Sequence, residues 1–156
     1  MYVHLLAIGS RMPDWVEAGV AEYAKRLSGD VRFQVDAIAL PKRGDMPVAQ
    51  RLRQETELLE KRLEKYPHAE KIALEVEGKR LTTQQLASHL GKLRDESRDL
   101  CLLVGGPDGL DPELSRRCSR QWSLSDLTLP HPLVRLLVAE QVYRGWSLLH
   151  DHPYHR

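Results

Sequence analysis

Five consecutive apolar residues, Leu100-Cys101-Leu102-Leu103-Val104, run directly into Gly105-Gly106-Pro107-Asp108-Gly109. A strand that is apolar at every position has both faces buried, which is the pattern of a parallel sheet covered by helices on both sides. Asp111-Pro112-Glu113 follows the glycines and supplies a helix cap, a proline fitted to the first helical turn and an acid favoured by the helix dipole. The unit is strand, glycine turn, helix.

The rest of the chain keeps that rhythm. Residues 2–8 predict a buried strand ending at Gly9, and 13–27 a helix with Trp15, Val16, Val20, Tyr23 and Leu27 as its stripe. Alternation over 31–39 predicts a second strand. Residues 41–46 read as a Pro/Lys/Arg/Gly loop. Pro47 opens a helix whose apolar face is Val48, Leu52, Leu59, Leu63 and Tyr66, with Thr56 filling the missing step, and Tyr66-Pro67 ends it. Residues 71–76 predict a third strand, Gly78 a turn, and Thr82 or Thr83 the cap of a helix reaching Glu96. Residues 122–129 read as a short strand and loop, 131–149 as a last helix and 151–156 as a polar tail. Alternating strands and helices predict one α/β domain over residues 1–156, a mainly parallel sheet flanked by helices.

Composition narrows the function. With 42% hydrophobic and 29% charged residues the chain has an ordinary globular balance. No apolar run approaches the roughly 20 residues of a membrane span. The first apolar stretch is too short for a signal segment and has no basic flank, so a cytoplasmic protein without a membrane partner is expected. Two cysteines, Cys101 and Cys118, form neither a disulfide framework nor a metal set. A net charge of +1 is far from that of a protein that grips nucleic acid by charge alone. The distribution is uneven, however. All seven lysines precede residue 93, and from Asp111 onward the six cations are all arginine, joined by four of the seven histidines. Arginine forks suit phosphate and stack on bases, which tilts this third towards a nucleotide or polyanion.

Four segments are candidates for chemistry. The turn at Gly105-Gly106-Pro107-Asp108-Gly109 lies where parallel sheets bind ligands, beyond a strand's carboxyl end. It fits neither the dinucleotide fingerprint nor the P-loop, and a purely structural turn is the other reading. Residues 122–132 hold Pro130 and Pro132 and suit a buried loop whose backbone groups an adenine edge would satisfy; an edge strand with a turn is the alternative. The last helix is apolar almost all round, which predicts burial on several sides and favours a homodimer across it; burial inside one chain is the competing account. Glu140 and Arg144 stand at i, i+4 spacing and can pair. The tail, His150 to Arg156, can stack on and grip a nucleotide or fray as a terminus. Its histidines lack metal-site spacing, so no metal is expected.

Four of these sequences in order resemble one family. They are Gly105-Gly106-Pro107-Asp108-Gly109-Leu110, the run Ser123 to Arg135, Glu140-Gln141-Val142-Tyr143-Arg144 and the closing Tyr154-His155-Arg156. Ala7-Ile8-Gly9, Glu22-Tyr23 and Lys25-Arg26-Leu27 extend the likeness over the whole chain. The chain resembles the bacterial large-subunit ribosomal RNA pseudouridine N3-methyltransferases, minimal members of the SPOUT, or trefoil-knot, methyltransferases. The resemblance implies a parallel α/β sheet with a C-terminal trefoil knot, S-adenosyl-L-methionine as cofactor, a homodimer, and large-subunit (23S) ribosomal RNA on the assembled ribosome as substrate. It places Leu74, Gly105, Leu124, Ser125, Asp126, Leu127, Thr128 and Leu129 around the adenosyl group, with Gly106 and Pro107 close behind. It also marks the tail as part of the reacting site. His155 is the candidate base, Arg135, Arg144 and Arg156 are anion or phosphate partners, and Tyr154 is a stacking platform. Two other functions remain open at this stage: a knotted methyltransferase of transfer RNA, and a non-catalytic ribosome-assembly or nucleotide-binding module.

Overall fold

A computed structural model describes residues 1–40 and 45–155, so most of the loop expected over 41–46 lies outside the described residues. Ten principal elements alternate along the chain: β1 (Tyr2–Ile8), α1 (Asp14–Arg26), β2 (Arg32–Ile38), α2 (Val48–Leu63), β3 (Glu70–Arg80), α3 (Thr83–Asp95), β4 (Leu100–Val104), α4 (Pro112–Arg117), β5 (Arg120–Ser123) and α5 (His131–Leu149), before a 3-10 turn at Pro153–His155. The strands form one sheet in the order β2-β1-β4-β3-β5, and all four neighbouring pairs are parallel.

β4 is buried at all five positions because helices cover both sides of the sheet. Alternate residues feed separate cores. Leu5, Ala7, Leu100, Leu102 and Val104 pack with Leu90, Val138, Val142 and Trp146 on one face. Leu6, Ile8, Cys101 and Leu103 pack with Leu59, Leu63 and Leu114 on the other. Helix starts follow the sequence signals. Thr82 and Gln85 form a reciprocal capping box, and the Asp111 carboxylate accepts from the backbone N–H groups of Glu113 and Leu114.

Two local expectations are corrected. Gly78 is not a turn between elements; β3 continues through it to Arg80. A Cβ there would lie 2.5 Å from the backbone carbon of Trp122, so the glycine lets β5 approach. In α2 the missing step of the apolar stripe is filled by buried Glu55 rather than Thr56. α5 packs against both α1 and α3 as well as the sheet-side core, while Leu133 stays exposed and Leu136, Leu137 and Leu148 are half-buried. Gly91 and Gly145 permit the α3–α5 approach, since a Cβ at either would come within 3.0 Å of a leucine.

Candidate active site

The carboxyl end of β4 and the middle of β3, Leu74 to Glu77, open onto a cavity of about 440 Å³, within the size range of small-molecule sites, about 300–1,000 Å³. Its floor is the glycine turn. Gly109 N–H donates to the Gly106 carbonyl at 2.9 Å, closing a turn with Pro107 at its second position and Gly109, at φ +82°, at its fourth. Gly105 allows the turn to fold over itself. A Cβ there would lie 2.2 Å from the Gly109 carbonyl group and 2.5 Å from Leu110 N.

Three side chains hold this turn from behind. Arg51 of α2 forks onto the Asp108 carboxylate. The buried Glu55 carboxylate is packed so closely against Gly106 that a Cβ would stand 2.7 Å from it. His131, at the start of α5, donates from Nε2 to the Gly106 carbonyl at 3.2 Å, which fixes the proton on that nitrogen. Sequence reading passed over Arg51 and Glu55. The available signal was a charged residue sitting within the apolar stripe of α2.

Leu74, Gly105, Gly106, Pro107, Leu124, Ser125, Leu127, Thr128 and Leu129 all line the cavity. Asp126 is not on this wall and pairs outward with Arg80. The 124–129 segment is not the buried loop read from its leucines, because Leu127 is 73% exposed. The segment is instead braced internally: Ser123 Oγ donates to the Ser125 carbonyl at 3.0 Å, and Leu127 N–H donates to Ser125 Oγ at 2.9 Å. Glu75, Val76 and Glu77 complete the wall and were not anticipated.

The C-terminal candidates lie elsewhere. Tyr154 packs against Tyr143 at 4.6 Å between ring centroids, and its hydroxyl donates to Glu140 at 3.2 Å. Burial, the Tyr23 hydroxyl and the Glu140 charge all push the phenol pKa upward, so it stays protonated. Arg144 bonds Glu140 at 2.8 Å and covers the Tyr154 ring at 4.9 Å. This cluster sits at the far end of α5 from His131, and the helix axis from His131 to Arg144 spans about 20 Å. Arg135 joins neither group. It is buried and donates to the carbonyls of Ile8 and Gly9 at the end of β1, while burial lowers its pKa. The side chain of His155 and all of Arg156 lie outside the described residues. Burial raises the thiols of Cys101 and Cys118 to about 12 and about 11, out of the nucleophile range. Among the described residues no cluster of ligating side chains could hold a metal, and no helix is long and apolar enough to cross a membrane.

The chain matches known methyltransferases over its whole length. Residues 1–155 match the family model described as "Predicted SPOUT methyltransferase". The chain is 55% identical over 160 residues to the ribosomal RNA large subunit methyltransferase H of Alcanivorax borkumensis, with 100% of each chain covered. It is 48% identical over 157 residues to the protein of the same name from Pseudomonas putida, again with 100% of each covered. Among solved structures, a methylase-family protein from Haemophilus influenzae superposes with a TM-score of 0.60 at 10% identity, over 97% of this chain and 69% of that one. A structure from Bordetella pertussis described as a methyltransferase gives 0.58 at 14% identity, over 92% and 93%. These two share the fold. Length, motif order and sequence identity together place the protein in one group of enzymes: the chain belongs to the SPOUT methyltransferase family.

Proposed function

We propose that the protein methylates N3 of a pseudouridine in large-subunit ribosomal RNA, using S-adenosylmethionine, as a homodimer acting on assembled ribosomes. The observation that carries this reading is the cavity at the carboxyl end of β4 and beside Leu74–Glu77 of β3. Its glycine turn and its 124–129 wall coincide with the segments that resemble the family's adenosyl pocket. The full-length relatives named as large-subunit ribosomal RNA methyltransferases support the substrate.

The residues present suit that cofactor. The turn lines the cavity with main-chain atoms, its tight fold allowed by Gly105 and Gly106, whose missing Cβ atoms leave room for Gly109, Leu110 and Glu55, and Leu74, Leu124 and Leu129 offer apolar surface to an adenine ring. When bound, the cofactor supplies an already activated methyl group on a sulfonium. The protein's part is then alignment and proton handling. A pseudouridine N3 is an imide N–H and must give up its proton before its lone pair is available. Positive charge near the ring stabilises the anion so formed.

Arg144 and Tyr154 are the described tail-cluster groups suited to that work. Within one chain Arg144 stands about 15 Å, and Glu140, which Tyr154 bonds, about 9 Å along α5 from Val134 on the cavity wall. A second copy whose tail meets the first copy's cavity would bring them to the reacting ring. An apolar seam suits such a contact. Gly19 of α1 meets Leu136 of α5, and one turn earlier on each helix Trp15 is 56% and Leu133 40% exposed. A net charge of +1 suits an enzyme whose docking surface is supplied by the ribosome.

The test is methyl transfer from labelled S-adenosylmethionine to intact ribosomes, separate subunits and transfer RNA. The expected result is label in the large-subunit RNA of intact ribosomes. Label in transfer RNA alone would overturn the substrate assignment, and absence of cofactor binding would overturn the enzymatic one.

A further inference from the structure

The wall of the cavity carries charge of one sign. Among the described residues that line it, Glu75 and Glu77 are the charged ones, accompanied by His131 and otherwise by apolar, glycine and hydroxyl-bearing residues. Elsewhere the chain pairs many of its carboxylates. Asp36 meets Arg62, Glu70 meets His89 and Arg120, Asp108 meets Arg51, and Glu140 meets Arg144. Glu75 and Glu77 have no ion-pair or hydrogen-bond partner among the described residues.

Their position follows from an irregularity in the sheet. The β3–β5 ladder runs through Leu74↔Trp122 and resumes at Lys79↔Trp122, so residues 75–78 have no partner in β5. A strand released in this way re-aims its side chains, and such bulges collect beside active sites. The released stretch includes Glu75 and Glu77, which both line the cavity, and Glu75 lies close enough to Cys118 for its charge to raise that thiol. A ligand carrying positive charge is attracted to a wall whose charged residues are both acidic.

We propose that Glu75, assisted by Glu77, makes the cavity selective for the cationic methyl donor over the neutral thioether that remains after transfer. This rests on the S-adenosylmethionine reading above. That molecule and S-adenosylhomocysteine differ by the methyl group and one positive charge, so a carboxylate on the wall favours the first and speeds release of the second. Glu75 is half-buried and Glu77 exposed, and solvent screens an exposed charge more strongly. Glu75 therefore carries most of the discrimination.

Titration calorimetry of the wild type, E75Q, E75D and E77Q with both ligands tests this without any turnover. E75Q is expected to weaken S-adenosylmethionine binding about tenfold, the order of one lost charge interaction at a partly solvated site, and to leave S-adenosylhomocysteine within about twofold. E75D keeps the charge and is expected to keep the wild-type preference. E77Q is expected to shift the ratio by about twofold. The wild-type preference is expected to shrink as salt rises. An unchanged ratio in E75Q, or equal weakening of both ligands, overturns the proposal while leaving the cofactor reading intact. Failure of the wild type to bind either ligand overturns the cofactor reading, and the proposal with it.

Discussion

Arg51 Nε donates to Asp108 Oδ2 at 2.8 Å and its Nη2 to Oδ1 at 3.2 Å, so a single guanidinium fork joins α2 to the turn beneath the cavity. The remaining Nη1 reaches the Met46 carbonyl at the approach to α2. Asp108 is the third residue of the Gly106–Gly109 turn, and the fork fixes its orientation as well as its distance. The Asp108 carboxylate correspondingly holds the Arg51 pKa above its ordinary value.

Replacing Arg51 by Gln removes the fork and lets the turn relax away from the ligand. S-adenosylmethionine affinity is expected to fall roughly tenfold, and R51K is expected to recover part of it, because an ammonium replaces the charge but not the two-point geometry. Calorimetry reads both. An R51Q protein that binds as tightly as wild type would show that α2 does not position the turn.

Gly105 gives a second prediction, with a cause different from the one its sequence suggests. A glycine beside a ligand site is read as room for the ligand, yet here the missing Cβ is room for the chain's own backbone at Gly109 and Leu110. Gly105→Ala should then cost about 1–3 kcal/mol of stability along with cofactor binding, as overpacking does. Thermal unfolding without ligand distinguishes the two causes. An unchanged midpoint with lost binding would restore the ligand-clash explanation.

This difference marks what the sequence can carry. The strands and helices were legible because burial on two faces writes itself as apolar runs and stripes, as at Leu100–Val104. The turn and the 124–129 wall were legible through motif resemblance. Glu55, Arg51 and the 75–78 release were not, because each depends on a neighbour distant in sequence: Gly106, Asp108 and Trp122 respectively. The girth of α5 leaves its partner open for a related reason. Periodicity shows that a face is apolar but not whether α3 or a second copy covers it.

Acid stability offers a third prediction. His4 is buried between the rings of Tyr2 and Tyr66, and its Nδ1 accepts from Gln34 Nε2 at 2.7 Å, which requires that nitrogen to be unprotonated. Burial lowers its pKa below the ordinary 6.5, although Asp99 and Asp36 pull the other way. Between the folded and unfolded pKa values the unfolded chain binds more protons. The contribution of His4 is therefore complete above pH 6.5 and is lost as pH falls through the window below it. Glu70, whose pKa is also lowered, adds a separate loss below 4.5. The unfolding midpoint should decline from pH 7 to 5 in the wild type and decline less in His4→Gln. Parallel curves for the two proteins would remove His4 as the source.

The separation of the two chemical clusters along α5 yields the last prediction. A variant lacking residues 154–156 keeps the glycine turn and the cavity wall, whereas Gly105→Val keeps Tyr154, Glu140 and Arg144 but loses the turn. Each alone should be inactive. If the reacting site forms between copies, mixed dimers hold one cavity intact and, facing it, one tail intact, so co-expression and purification of the mixed species should restore about half of the wild-type rate per dimer. A site formed within one chain cannot be rescued this way, because each chain of the mixture lacks one of its parts. Affinity tags of two kinds isolate the mixed dimer, and single-turnover methylation of ribosomes gives the readout. Restoration places the tail from Tyr154 onward opposite the partner's cavity; an inactive mixed dimer that still binds S-adenosylmethionine would confine the tail to its own chain, against Tyr23 and Tyr143.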